Sequence, residues 1–479
     1  MKVLHISAEC YPAAKAGGLG DVAGALPKYL TESGFSAAVI IPKYHTKWIL
    51  SQEWTNCLSG IFPLNGEYIN FTIQKLQGGG LGFPLFVVDI PGKYDRPSVY
   101  LDDNGKGFAD EVERSLSFQQ AVLHWVKQLD TLPEVIHCHD HHTGLVPFMV
   151  KHCHVFRRLT DIPTVFTIHN GEYHGTFGWE KAHKLPLFDE EVSGLLDWNK
   201  AINPLAAAIK CCWRLTTVSP TYMRELQYIS GNLAPLLRHE QAKSKGVLNG
   251  IDVQVWNPKT DPLLPEHLKR SWKNFKQKNR AILAERFRLS EGLPTITFIG
   301  RLAQEKGANL LAPTIERFLN EGGQAAFIIL GTGEPFIHEA LKWLEQRYGS
   351  HVNVALEYNE GLAHQLYAGS DFLIMPSKVE PCGLNQMYSM RYGTLPIVRA
   401  VGGLKDTVID IDEPNGRGIQ FGELDPADAA RALHRAVALY KDTERFEEIR
   451  KTITQVDFSW ENSANQYVDL YESIIELVQ

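Results

Sequence analysis

The feature that most constrains the fold of this chain is alternation. Short β-branched runs are separated, one after another, by stretches with apolar residues at helical spacing. Lys2–Ser7 reads as a strand, and Val22, Ala25, Leu26, Tyr29 and Leu30 then form a helical stripe, with Pro27 arguing against an unbroken helix. Residues 37–41 and 83–89 read as the next strands, followed by Phe118, Ala121, Val122, Trp125, Val126 and Leu129 on one helix face. Residues 135–138, 164–169 and 215–219 supply three more strands. A second series begins at 295–300 and continues at 326–331, 352–356, 371–376 and 395–398. Strand–helix alternation predicts parallel sheets covered on both faces, because a parallel crossover needs a helix to return the chain. Two such series predict two doubly wound, Rossmann-like α/β domains. The partition read from the sequence is 1–256, a Pro-rich and charged connection at 257–290, 291–459, and a terminal helix at 460–479.

Ligands of doubly wound sheets sit beyond the carboxyl ends of the strands. Two domains facing across a cleft would hold a donor on one side and an acceptor on the other. Composition narrows the partners. A net charge of −7 lacks the basic footprint of a nucleic-acid binder, and no apolar run approaches the ~20 residues that span a bilayer. Seven cysteines in a chain of 479 residues, behind an N-terminus with no signal-peptide pattern, suggest free thiols and a cytoplasmic protein.

The motifs fall at the predicted strand ends. Lys15-Ala16-Gly17-Gly18-Leu19-Gly20-Asp21 follows the first strand and precedes a helix. Consecutive glycines let backbone approach a phosphate, and a helix N-terminus offers free N–H groups; a plain flexible turn is the competing reading. His137-Cys138-His139-Asp140-His141-His142 invites a metal reading. Residues 137 and 139 share one strand face while 138 and 140 point the other way, which favours sugar binding or packing over a metal centre. His169-Asn170 ends another strand, where a structural role competes with substrate contact. Arg301 and Lys306 lie five residues apart at the end of the strand 295–300 and suit a phosphate, although a solvated charged loop has the same composition. Pro376–Gln386 carries Glu380 at a strand end and Cys382, the latter read as a packed thiol rather than a nucleophile, with a helix starting near Cys382. Gly402-Gly403 repeats the paired-glycine theme before a helix.

In this order and spacing the motifs resemble the bacterial glycogen synthase and plant starch synthase family, retaining glucosyltransferases of the GT-B fold. The resemblance spans nearly the whole chain and rests on Lys15–Leu19, His137–His142, Val247–Asp252, Arg301 with Lys306, Glu380–Leu384 and Arg391–Thr394. It implies that the terminal helix at 460–479 crosses back to the first domain, and that the chain transfers glucose from ADP-glucose to the nonreducing end of an α-1,4-glucan such as glycogen, starch or a maltooligosaccharide. No cofactor or metal is required in such a reaction. Glu380, His169, Lys306 and Arg301 would form the catalytic set. Lys15, Gly17, Gly18, Asp21, Asn249, Tyr358, Cys382, Gly383 and Leu384 would bind the donor, with Tyr358 against the nucleoside base. The chain departs from the family pattern at Ala16, where Thr is usual, at His141, where Trp is usual, and at Asn385, where some relatives carry Thr. Tyr388 stands where a sucrose-synthase-like family often has a second Glu, which favours the glycogen and starch branch. A related retaining enzyme using UDP-glucose and a noncatalytic glucan-binding scaffold are the alternatives.

Overall fold

The computed structural model describes residues 1–64, 66–102, 105–287 and 289–478. The chain divides into two compact units: the first holds Met1–Val218, Met223–Asn249 and Trp460–Gln479, and the second Ser219–Tyr222 and Gly250–Ser459.

The first unit contains β1 (Val3–Ile6), β2 (Ala37–Pro42), β3 (Trp54–Leu64), β4 (Glu67–Leu76), β5 (Leu85–Asp89), β6 (Val135–His139), β7 (Thr164–Ile168), β8 (Asp197–Trp198), β9 (Ala201–Ile202), β10 (Arg214–Thr217) and β11 (Ser244–Gly246). Apart from the small β8–β9 pair, they form one sheet in the order β11-β10-β7-β6-β1-β2-β5-β4-β3. Neighbours from β11 through β5 pair parallel, and β4 and β3 complete the edge antiparallel. β1, β2, β6 and β7 are buried along their whole length, as the apolar runs require of a sheet covered on both faces. The β3–β4 hairpin has no strong signature in the sequence. Gly60 and Pro63 interrupt its β-branched pattern, and Gly60 is covered by the ring of Phe71, its cross-strand partner.

Pro27 does not break the first helix, which runs unbroken over Gly18–Glu32. Proline leaves the Ala23 carbonyl without its helical N–H partner, and the Cys10 thiol donates to that oxygen instead (3.4 Å). The helix packs against the terminal helix Trp460–Ile475 through a core that includes Val22, Leu26, Leu30, Tyr467, Tyr471 and Ile474.

The second unit contains β12 (Thr295–Ile299), β13 (Ala326–Leu330), β14 (Val352–Ala355), β15 (Phe372–Met375), β16 (Leu395–Arg399) and β17 (Ile419–Phe421). Its sheet is wholly parallel, in the order β14-β13-β12-β15-β16-β17. Renumbered within the unit, that is 3-2-1-4-5-6, the doubly wound order of dinucleotide-binding sheets, with its switch point between β12 and β15. Residues 250–290, read from the sequence partly as first domain and partly as connection, lie in this unit. Their second half is the helix Trp272–Phe287, which packs so closely on the helix Glu360–Gly369 that a Cβ at Gly369 would meet the Asn279 carbonyl at 2.9 Å. The charges that suggested a linker include Lys276, which is buried and donates to the Tyr367 and Tyr392 carbonyls and the Thr394 hydroxyl. Among the described residues no helix is long and apolar enough to cross a membrane.

Candidate active site

In the first unit the sheet reverses its winding between β1 and β6, and the loops after these strands carry the first cluster. The chain leaves β1 with Glu9 buried. One Glu9 oxygen accepts the backbone N–H groups of Ala16 (2.6 Å) and Gly17 (2.8 Å), and the other accepts the Tyr100 hydroxyl (2.5 Å). The glycine-rich loop therefore wraps a carboxylate of its own chain. Lys15 pairs with Asp21 (2.7 Å), both partly exposed. Gly17 and Gly18 are exposed and face open space, whereas Gly24 touches the Tyr11 carbonyl so closely that a Cβ would stand 2.5 Å from it.

After β6, Asp140 adopts φ 57° and ψ 176°, a backbone region that is strained for any residue with a Cβ. Its carboxylate accepts the backbone N–H groups of His169 (2.7 Å) and Asn170 (3.3 Å) and so ties the end of β7 to the end of β6. Burial pushes the Asp140 carboxyl up to about 7, against the lowering effect of those two N–H groups, and the nearby Glu9 charge pushes it further up.

The parallel register of β1 and β6 sets His5 beside His137. Hydrogen bonds then run from His5 Nδ1 to His139 Nε2 (3.0 Å) and from His139 Nδ1 to His169 Nε2 (3.0 Å). His137 bonds the Tyr471 hydroxyl and the Thr167 hydroxyl, each at 2.6 Å. The ligand atoms of His5, His137 and His139 lie within 4.8 Å of one another, as a metal site would require. Both nitrogens of His137 and of His139 are already committed to hydrogen bonds, so the arrangement works as a packed imidazole array. Burial holds His5 and His169 down at about 3, and drives His137 and His139 well below the usual range as well, so the rings are neutral. Asn249, three residues past β11, is buried with a side-chain oxygen that meets no hydrogen-bond partner among the described residues.

In the second unit the loops after β12 and β15, the strands flanking the switch point, carry the second cluster. Lys306 Nζ reaches both oxygens of Glu380 (2.7 and 2.9 Å), and the Ser377 hydroxyl donates to the same carboxylate (3.0 Å). Glu380 is buried and Lys306 partly exposed. Arg301 is largely exposed and pairs with Glu305. The Glu380 loop is shaped by Gly402 and Gly403. A Cβ on Gly402 would stand 1.9 Å from the Glu380 carbonyl, one on Gly403 would stand 2.0 Å from that of Cys382, and the Gly403 N–H donates to the Glu380 carbonyl (3.1 Å). The helix expected to start near Cys382 spans Asn385–Arg391, because Gly383 at φ +73° turns the chain first. Gln386 then holds the turn, donating to the Cys382 (3.1 Å) and Gly383 (2.9 Å) carbonyls. Leu384 is the residue just before that helix, and Cys382 is buried. Tyr358 is 86% exposed in the loop after β14.

Within each unit, then, the residues singled out from the sequence gather at strand ends: Lys15, Gly17, Gly18, Asp21, His169 and Asn249 in the first, and Arg301, Lys306, Tyr358, Glu380, Cys382, Gly383 and Leu384 in the second. Glu9, Tyr100, Ser377 and Gln386 lie outside the candidates that the sequence motifs mark, and in the sequence Asp140 stands only as part of a histidine run. Glu9 is the one the sequence hinted at, as a carboxylate between an apolar strand and a glycine-rich loop.

Residues 2–239 match the family model described as starch synthase catalytic domain, and residues 279–452 the one described as glycosyl transferases group 1. A glycogen synthase of Flavobacterium johnsoniae is 44% identical, the alignment covering 99% of this chain and 100% of that one. A glycogen synthase of Streptococcus gordonii is 35% identical, with the same coverage. Among solved structures, the catalytic domain of starch synthase IV from Arabidopsis thaliana bound to ADP and acarbose superposes with a TM-score of 0.86 at 33% identity, covering 99% of each chain. A sucrose-phosphate synthase from Thermosynechococcus elongatus, at 17% identity and a TM-score of 0.61, shares the fold.

Proposed function

This chain belongs to the glycogen and starch synthase family, glucosyltransferases of the GT-B fold that take a nucleotide-sugar donor and an α-glucan acceptor, and from that premise we propose how it works. It transfers glucose from ADP-glucose to the nonreducing 4-hydroxyl of an α-1,4-glucan, with retention of configuration. The ADP in the Arabidopsis relative supports the donor assignment. The observation that carries the reading is the Lys306–Glu380 pair at the switch point of a 3-2-1-4-5-6 sheet, where doubly wound folds bind nucleotides.

The difficult step is departure of a diphosphate, whose oxygens gain charge as the glycosidic bond breaks. Fixed cationic donors stabilise such charge in the transition state. An ammonium has three N–H donors, and Glu380 engages Lys306 through two close contacts, which leaves a third for a phosphate oxygen. Arg301, exposed and paired only at its tip, adds a planar fork suited to phosphate. These cations meet the charge requirement without a metal. Glu380, held by Lys306 and Ser377, orients the glucose and stabilises positive charge at the anomeric carbon. His169, neutral and anchored through Asp140, positions the sugar. The acceptor then attacks from the face the diphosphate leaves, and the departing phosphate takes its proton. Lys15, Gly17, Gly18, Asp21, Asn249, Tyr358, Cys382, Gly383 and Leu384 complete the donor set. We place the enzyme in the cytoplasm.

The test is incubation of the purified protein with glycogen and either ADP-glucose or UDP-glucose, without added metal, measuring nucleotide release and glucan growth. Elongation dependent on ADP-glucose is expected. Preference for UDP-glucose would overturn the donor assignment, and elongation only with added divalent metal would overturn the metal-free mechanism.

A further inference from the structure

The glycine-rich loop invites a phosphate, yet two of its backbone N–H groups are already taken by an anion built into the chain. Glu9 accepts from Ala16 at 2.6 Å and from Gly17 at 2.8 Å, while Tyr100 closes on its second oxygen at 2.5 Å. Charge-assisted bonds of this length are the strong kind. The backbone of Glu9 is fixed as well: the Ser7 hydroxyl accepts its N–H (3.2 Å) and donates to its carbonyl (2.6 Å), and Cys10 and Ala14 exchange backbone hydrogen bonds just beyond (2.9 Å each). Gly20 belongs to the same arrangement, since a Cβ there would stand 3.2 Å from the Glu9 carboxylate and 3.0 Å from Lys15 Cγ. Tyr100 is itself seated, its ring stacked on His142 at 4.8 Å.

A phosphate oxygen and the Glu9 carboxylate cannot share the same two N–H donors, because two anions at that separation repel in a buried setting. We propose that Glu9 is the internal anion that sets the shape of the glycine-rich loop, and so a positioning residue for the sugar-nucleotide reaction. The loop meets the donor through Lys15 and the open faces of Gly17 and Gly18, while the Ala16 and Gly17 amides serve as its frame. Glu9 touches no substrate in this scheme. Its part in turnover rests on the function proposed above; the frame itself does not.

Two measurements separate those claims. The first needs no turnover: amide hydrogen exchange at Ala16 and Gly17 in the substrate-free protein. Both amides are expected to exchange at least tenfold faster in Glu9→Ala than in the parent, and Glu9→Gln, which keeps an acceptor oxygen, is expected to retain most of the protection. Unchanged exchange in Glu9→Ala would overturn the frame, whatever the enzyme's activity. The second is steady-state kinetics with ADP-glucose and glycogen. Misplacing a contact loop by about 1 Å costs on the order of 100-fold, so Glu9→Ala is expected to lose about that in kcat/KM, with a raised KM for ADP-glucose. Added formate, a carboxylate small enough for the vacated nest, is expected to recover part of the loss, and Glu9→Gln should stay within about tenfold of the parent. A general folding defect would not respond to formate. An unchanged or lowered KM in Glu9→Ala would instead mean that the freed amides bind the donor, and the proposal would fall. If Glu9→Ala does not fold, Tyr100→Phe carries the test: it removes one of the three bonds and is expected to speed exchange at the two amides, and unchanged exchange would again overturn the frame. An elongation-negative parent enzyme would defeat the functional reading alone, since the exchange experiment stands without it.

Discussion

Two carboxylates, one in each unit, sit just past strands that flank a winding reversal, Glu9 after β1 and Glu380 after β15, and they are held in opposite ways. Glu9 is bound by two backbone amides and a phenol. Glu380 is bound by a lysine ammonium and a serine hydroxyl. Backbone amides are part of the fold and cannot turn away, so a carboxylate caught by them is a frame. An ammonium on a flexible stem has a spare donor and can share it, which suits a carboxylate held that way to the ligand-responsive role proposed for Glu380. The same side-chain chemistry is thus held by the backbone in one unit and by side chains in the other, and we propose that it builds shape in the first and reactivity in the second.

The comparison is sharpened first at Glu380, where the largest effect is expected. Glu380→Gln keeps the shape of the side chain but removes the charge that meets Lys306, and turnover should fall by about 10²–10³ while ADP binding stays largely intact. Turnover near that of the parent would remove Glu380 from the catalytic set and make both carboxylates frames. Next comes Lys306→Ala. Loss of one charge-assisted contact of about 1.5–3 kcal/mol should weaken ADP binding by roughly 10- to 100-fold, read by calorimetry. An unaltered dissociation constant would show that the ammonium is committed to Glu380 alone.

The smallest expected effect concerns charge buried in the first unit. Burial holds particular histidines neutral there, His5 and His169 down at about 3 and His141 at about 4. Below about pH 6.5 the unfolded chain takes up protons that these folded rings refuse, so their contribution to stability shrinks as pH falls from 6.5 toward 4. Asp140 runs the other way. Its folded carboxyl keeps a proton up to about 7 while the unfolded one loses it near 3.8, so its contribution is lost as pH rises through that window. Asp140→Asn, which still accepts the two N–H groups and tolerates positive φ, should leave stability almost unchanged only below about pH 4, where both folded and unfolded carboxyls are protonated. Above pH 7 it should add on the order of 2 kcal/mol, read from denaturant unfolding across pH. Equal stability of the two proteins at pH 8 would mean that Asp140 is ionised there without cost.

Much of this arrangement is legible along the chain. Apolar β-branched runs with helices between them predict parallel sheets, and glycines and charges at run ends mark the strand ends where we propose the ligand goes, because both signals are local. The segment 272–287 misleads for the same reason: its charges look solvated until the helix is seen to bury Lys276 against carbonyls roughly 90 to 120 residues away. The helix start at Asn385 rather than Cys382 turns on one backbone angle, φ +73° at Gly383, which a glycine permits but does not announce.

The sequence by itself determined the fold class, the strand ends at which the candidate residues lie and the family, since periodicity and motif order survive in one dimension. Tertiary structure alone decided what each polar group does. His5 finds His137 only through a parallel register between strands more than a hundred residues apart, and Tyr100 finds Glu9 across ninety-one positions. Glu9 is an anchor rather than a bystander because the chain turns back and presents two amides to it. A carboxylate's role depends on which donors surround it, and those donors are chosen by the path of the backbone in space.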